Sequence, residues 1–247
     1  MSDRTRPVLA ALSFLSAVPV GRRVELGERD LRRGAALFPL VGAAIGGLVA
    51  LVAWASAHVL PAFAGAVLGV ASGVAATAAL HLDGLGDVAD GVGASLAGHA
   101  DPAEAMRDPR LGTFGIAAIA LDLLLKVSLL SALVVTGFPW PVVAAAALSR
   151  AAPVAMAWRL PYAGGGTGTW TTHIGSAPVI LASVVALALA ISNAGISTIG
   201  MVAAVAICAT LVGWWSTRRL GGITGDGFGA AIELGETLAI AVAVAVR

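Results

Sequence analysis

The amino-acid sequence predicts an all-α, polytopic integral membrane protein, and three observations carry that expectation. Of 247 residues, 58% are hydrophobic and 12% are charged, against about 25% charged in soluble domains. Mean hydropathy is +0.92. Seven apolar stretches approach the ~20 residues that a spanning helix needs: 36–58, 62–82, 115–136, 140–160, 177–193, 197–216 and 229–246. About seven hydrophobic helices are expected, six to seven of them spanning.

In chain order, residues 7–20 are apolar but too short to cross, so they predict an interfacial or re-entrant segment. No A-x-A site precedes a hydrophilic region, so no cleavable signal peptide is expected. The third apolar stretch carries Asp122 and Lys126, spaced to neutralise each other on a helix. The fourth carries Arg150, which has no partner within its own helix. The fifth is short. The sixth contains Cys208, the sole cysteine, which excludes an internal disulfide. The seventh opens with Glu233 and Glu236, which leaves a short apolar remainder, so only partial spanning is expected. No repeat or linker interrupts the chain, and residues 1–247 read as one domain.

Charge distribution predicts topology. The connectors near 59–61, 137–139 and 194–196 hold no charged residue. Arg4, Arg6, Arg22, Arg23, Arg29, Arg32 and Arg33 crowd the N-terminal segment. Arg107 and Arg110 lie in 83–112, Arg159 heads 160–176, and Arg218 and Arg219 head 217–228. Lys and Arg bias short loops toward the cytoplasm, so these four segments are expected there together. A net charge of +1 carries no nucleic-acid footprint.

The chemistry concentrates in His81-Leu82-Asp83-Gly84-Leu85-Gly86-Asp87-Val88-Ala89-Asp90-Gly91. Asp83, Asp87 and Asp90 are spaced i, i+4, i+7 and share one face of a helix. Three like charges on one face repel unless a cation sits among them. Oxygen-only ligands suit magnesium or calcium. The glycines leave room for a phosphate to approach the backbone. Downstream, Asp101-Pro102 is a helix start. Arg107 and Arg110, one turn apart, are placed to clamp phosphate oxygens or to form local ion pairs.

A second acidic patch, Gly221-Gly222-Ile223-Thr224-Gly225-Asp226-Gly227-Phe228-Gly229, precedes Glu233 and Glu236. Asp226 is read as a site residue. Glu233 and Glu236 are read first as a solvated helix start, where acids favour the positive end of the dipole. Arg150 and Lys126 within apolar runs mark a protein cavity. The connector 162–169 is glycine-rich and reads as a plain flexible loop, with a hinge or lid as the alternative. His58, His99 and His173 lack metal-ligand spacing, and His81 adjoins the acidic motif. No nucleophile triad, Walker-type loop or zinc pattern is present.

HLDGLGDVADG, MRDPRLGTFG, Ser149-Arg150 and GGITGDGFGAAIE, in this order between apolar runs, resemble the cobalamin synthase (adenosylcobinamide-GDP ribazoletransferase) family. The resemblance covers nearly the whole chain. It implies a Mg²⁺-dependent enzyme of the bacterial cytoplasmic (inner) membrane with its site on the cytoplasmic side. Such an enzyme joins α-ribazole or its 5′-phosphate to adenosylcobinamide-GDP and releases GMP. The pattern carries over to Asp83, Gly84, Asp87, Asp90 and Gly91, to Arg110, Gly112, Thr113 and Gly115, to Lys126 and Arg150, and to Thr224, Gly225, Asp226 and Gly229. Pro109 stands where the family more often has serine. The connector 164–176 lacks basic residues, and Gly227-Phe228 replaces a more usual Thr-Leu pair.

On this reading Asp83, Asp87, Asp90 and Asp226 hold the metal. One of Asp83, Asp87 and Asp90 takes the hydroxyl proton, with Asp90 the choice. Glu104, Arg107, Arg110, Lys126, Arg150, Thr224 and Gly225 contact substrate. The partners are the GDP-linked donor, α-ribazole or its phosphate, and the lipid bilayer; homo-oligomerisation stays open. Two alternatives carry weight. A CDP-alcohol phosphotransferase uses the same logic, but with an Ala-Arg pair and longer gaps between aspartates. An ion-coupled transporter would place its acids nearer mid-membrane.

Overall fold

The computed structural model describes residues 5–18, 26–98 and 101–246. Arg4, Arg22, Arg23 and His99, and the side chain of His173, lie outside the described residues. Eleven α-helices are described: α1 (Arg6–Leu15), α2 (Glu28–Gly34), α3 (Phe38–Ser56), α4 (Ala62–Thr77), α5 (Leu80–Ala97), α6 (Pro102–Ala105), α7 (Thr113–Val135), α8 (Pro141–Arg159), α9 (Ser176–Ala194), α10 (Thr198–Leu220) and α11 (Gly225–Ala245). The only β feature among the described residues is a parallel bridge between Tyr162 and Ile223.

All seven apolar stretches are helical. Among the described residues, five helical runs are long and apolar enough to cross a membrane, or six if the bent pair α4–α5 counts as one span. One of these runs, Ser176–Leu220, is 45 residues long, about 68 Å at 1.5 Å per residue. That is twice a ~30 Å hydrocarbon core. Gly195, with φ +56° and ψ −128°, divides it into α9 and α10. Helix α11 is apolar along 21 residues and qualifies as a full span despite its acidic start. At ten residues, α1 is too short to cross; it packs on α2 and α3.

The expectation of one span over 62–82 and a polar connector over 83–112 is corrected. The helix ends at Thr77, and Ala78 and Ala79 both take left-handed backbone, φ +49° and +58°. The chain restarts as α5 at 89° to α4. Alanine in this region costs about 1–2 kcal/mol, so the bend is held by its surroundings. Nothing in an Ala-Ala pair announces such a turn. The aspartate motif therefore sits on a helix turned nearly perpendicular to α4. It packs on α7 and α11.

Within the bundle, α8 is central and contacts α3, α9, α10 and α11. Ala144–Leu148 are buried along it, and Gly42 and Gly46 bring α3 against its backbone. Pro153 lies within α8, where it removes one helical N–H near Ser149 and Arg150.

Candidate active site

The site is built where α5 crosses the start of α11. Thr224 caps α11, its hydroxyl accepting from the Gly227 N–H at 3.1 Å. A Cβ on Gly84 would lie 2.8 Å from the Asp226 carbonyl oxygen and 2.9 Å from its Cα. A Cβ on Gly229 would lie 3.1 Å from the His81 carbonyl oxygen. The two backbones meet at these glycines, which sets Asp226 beside Asp83 and Asp87. The motif's glycines were expected to admit a phosphate, and the structure corrects this. Gly84 faces α11, Gly86 faces Leu111 and Ile119, and Gly91 faces Met106 and Trp215. Their missing side chains serve helix packing.

Asp83 is exposed, and Asp87, Asp90 and Asp226 are half-buried. Asp87 feels the like charges of Asp226, Asp83 and Asp90. Asp83, Asp87 and Asp226 enter none of the ion pairs among the described residues. No three Asp, Glu, His or Cys side chains among the described residues close into a metal cage. The set is an open cluster of carboxylates with no ion-pair partner for Asp83, Asp87 or Asp226 among the described residues.

Asp90 is placed differently. One of its oxygens accepts from the Gly112 N–H at 2.7 Å and the other from the Gly115 N–H at 2.8 Å. It thereby caps α7 from a neighbouring helix, satisfying donors that a helix start leaves open. A Cβ on Gly112 or Gly115 would lie 2.5 Å from an Asp90 oxygen. The Gly-Thr-Phe-Gly pattern is thus the receptor for Asp90.

Beside Asp226 opens a cavity of about 380 Å³, lined among others by Phe14, Arg107, Tyr162, Thr224 and Gly225. The four segments with basic residues, expected on one side of the membrane, supply Phe14, Arg107, Tyr162 and Leu220 to this one cavity. The strap 161–163 is tied to 223 by the Ile223 N–H donating to Pro161 and the Ala163 N–H donating to Ile223, at 2.8 and 2.9 Å. Tyr162, the chain's single tyrosine, stands at the cavity wall. The sequence reading passed over it, although a lone tyrosine in a glycine-rich connector was a usable signal.

Other candidates lie elsewhere. Arg110 is exposed and turned onto Asp108, with Nε donating to Oδ1 at 3.0 Å and Nη2 to Oδ2 at 2.8 Å. That guanidinium holds the Asp108 carboxyl down to about 2. Glu104 is exposed on α6 and does not line the cavity.

Lys126 and Arg150 lie inside the bundle, in a cluster that the sequence reading did not assemble. Lys126 pairs with Glu233, with Asp122 at 3.1 Å and with Glu236 at 3.8 Å. Arg150 pairs with Glu236 and donates to Ser149 Oγ at 3.1 Å. The Thr237 hydroxyl donates to Asp122, and His81 Nδ1 is 3.9 Å from Glu233. One expectation is corrected. Glu233, buried, and Glu236, largely buried, are ion-pair partners and not a solvated helix start, because α11 inserts them between α7 and α8. Arg150, which has no partner within its own helix, finds an anion in Glu236 on α11. A cavity of about 40 Å³ adjoins the cluster, lined in part by Lys126, Arg150, Glu233 and Glu236.

Residues 7–244 match the family described as Cobalamin-5-phosphate synthase. The chain is similar to adenosylcobinamide-GDP ribazoletransferases from several bacteria. The Roseiflexus sp. protein is 37% identical over 95% of this chain and 88% of its own length. The Novosphingobium aromaticivorans protein is 38% identical over 97% and 96%. The Thiobacillus denitrificans protein is 36% identical over 96% and 94%. No solved structure matches. A match spanning both acidic motifs, every apolar helix and the glycines that join α5 to α11 shows that the chain belongs to the cobalamin-5-phosphate synthase family.

Proposed function

We propose that this protein is an adenosylcobinamide-GDP ribazoletransferase, joining α-ribazole or its 5′-phosphate to adenosylcobinamide-GDP with release of GMP. One observation carries the reading: Asp83, Asp87 and Asp226 gather, with no ion-pair partner among the described residues, beside a cavity lined by Arg107. Phosphoryl-linked transfer depends mainly on positioning and charge neutralisation. In the reaction a ribose hydroxyl of the acceptor attacks the phosphorus that carries the corrinoid arm. The new O–P bond forms as the bond to the GMP oxygen breaks.

The donor set fits magnesium. Mg²⁺ is ordinarily held by one or two carboxylates plus substrate phosphates rather than in an all-protein cage. Asp83 and Asp226 would hold it, and when bound it neutralises diphosphate oxygens. Asp90, with both oxygens engaged by backbone N–H groups, keeps α7 and the 101–112 segment in place against α5. Asp87 is therefore the carboxylate that takes the hydroxyl proton. Arg107 holds a phosphate oxygen at the cavity wall.

The α5–α11 crossing faces the cytoplasm of a bacterial inner membrane on this reading. Support comes from the basic segments that meet around the cavity and from the uncharged connectors near 59–61, 137–139 and 194–196. The test is GMP release by purified protein in detergent, with the donor and α-ribazole supplied, before and after chelation of divalent cations. Release that needs both substrates and stops on chelation is expected. No release under any divalent cation overturns the reading.

A further inference from the structure

The cavity beside Asp226 has a wall that the transfer chemistry alone does not require. Phe14 and Tyr162 both line it, and each is backed by a second ring. Phe14 stacks on Phe38 with centroids 5.4 Å apart and planes 13° apart. Tyr162 stacks on Phe228 at 6.5 Å and 14°. Trp170, fully buried, ties the two pairs together, meeting Phe14 at 5.8 Å, Phe38 at 5.6 Å and Phe228 at 6.4 Å. The Tyr162 hydroxyl donates to the Gly165 carbonyl at 3.2 Å. The rings are thus fixed before any ligand arrives.

We infer that this cavity takes the fused aromatic base of the acceptor nucleoside, stacked against the Phe14–Tyr162 wall with its ribose toward Asp226. The inference rests on the ribazoletransferase reading and assigns one of its substrates to a place. Three observations favour it. At about 380 Å³ the space lies near the lower end of the 300–1,000 Å³ range of small-molecule pockets. That suits a base with its sugar and is too small for a corrin macrocycle. Its polar side chains, Arg107, Thr224 and Asp226, join an aromatic and aliphatic surface to which Met106 and Leu220 contribute. The Asp226 backbone also meets α5 at Gly84, next to Asp83, so a ribose hydroxyl in the cavity would lie near the carboxylates that handle its proton.

The donor also carries a base, guanine, which shares the planar shape. Guanine presents N–H donors along one edge and is usually read by a carboxylate or amide. Among the described lining residues Asp226 is the sole carboxylate, and no Asn or Gln is present. Stacking on aromatic side chains needs no such reading and tolerates an apolar base.

The experiment measures KM for each substrate separately in Ala103→Trp, Tyr162→Ala and Tyr162→Phe. Ala103 lies on the short helix α6 at the cavity edge, so an indole there fills the space without disturbing the bundle. Ala103→Trp is expected to raise acceptor KM about tenfold or more and leave donor KM within about twofold. Tyr162→Ala should raise acceptor KM about tenfold, which corresponds to about 1.4 kcal/mol. Tyr162→Phe, which keeps the ring, should restore most of it. A rise confined to donor KM would assign the cavity to the guanine base and overturn the inference. Unchanged KM for both substrates in Ala103→Trp would overturn it as well. If the parent protein itself releases no GMP, the enzymatic reading fails first, and that outcome is distinct from either of these.

Discussion

Replacing Arg150 with leucine tests the buried cluster. The parent pairs Arg150 with Glu236 inside the bundle, where their side chains are 3% and 13% exposed. Removing one partner of a buried pair typically costs about 3–5 kcal/mol, because the other charge is left uncompensated. Lys126 lies 3.8 Å from Glu236 and retains part of the compensation, so the lower end, about 3 kcal/mol, is expected. At ~2–4 °C per kcal/mol for chains of this size, melting should fall by roughly 6–12 °C. Glu236→Gln in the Arg150→Leu background removes the orphaned charge and should recover more than half of the loss. Thermal unfolding of the four proteins of this cycle in one detergent gives the coupling directly. Additive effects of the two changes, or an Arg150→Leu variant as stable as the parent, would refute the assignment of Glu236 as the partner. A variant of parental stability that had lost donor affinity alone would return Arg150 to the substrate.

Asp87→Asn is expected to abolish transfer while membrane expression stays near the parental level, checked by turnover per folded protein at saturating Mg²⁺. Gly84→Ala places a methyl 2.8–2.9 Å from the Asp226 backbone; it should separate α5 from α11, cost about 1–3 kcal/mol and reduce turnover more than tenfold. Gly229→Ala, with its nearest contact at 3.1 Å, should do less on both readouts. Asp90→Ala leaves two N–H groups of the α7 start without their acceptor, worth about 1–2 kcal/mol by analogy with cap deletions; melting should register it even without substrate, and a fully stable, fully inactive variant would contradict the capping role. For topology, cysteines at Leu96 and Arg218 in a Cys208→Ala background should be labelled from outside in inverted vesicles and protected in right-side-out ones.

The helices were largely legible because apolar length marks a helix, and six of the seven stretches hold one long helix while 62–82 breaks at Ala78–Ala79. Asp226 was legible beside Asp83 and Asp87 because acids interleaved with glycine are unusual next to apolar runs. What the glycines do was not legible. A glycine that admits a phosphate and one that admits a neighbouring helix look alike in sequence, and Gly84 is of the second kind. The bend at Ala78–Ala79 was hidden for a related reason, since left-handed backbone at alanine is imposed by tertiary contacts. Glu233 and Glu236 were misread because their spacing from Asp226 says nothing of which helices flank them. Once α7 and α8 are adjacent to α11, Lys126 and Arg150 supply the missing cations. A buried cation in one apolar run and a buried acid in another should be read together as a pair.

The central claim is that Asp83, Asp87 and Asp226 form the reactive carboxylate set, with the metal held among them. Its most direct test is to locate Mn²⁺, in place of Mg²⁺, by anomalous scattering in crystals of the protein with the GDP-linked donor. The account predicts a peak between Asp83 and Asp226 at the mouth of the Arg107 cavity, bridging carboxylate and phosphate oxygens. It predicts no peak in the Lys126–Glu233–Arg150–Glu236 cluster. A metal in that buried cluster, or donor phosphates bound away from Asp226, would contradict it.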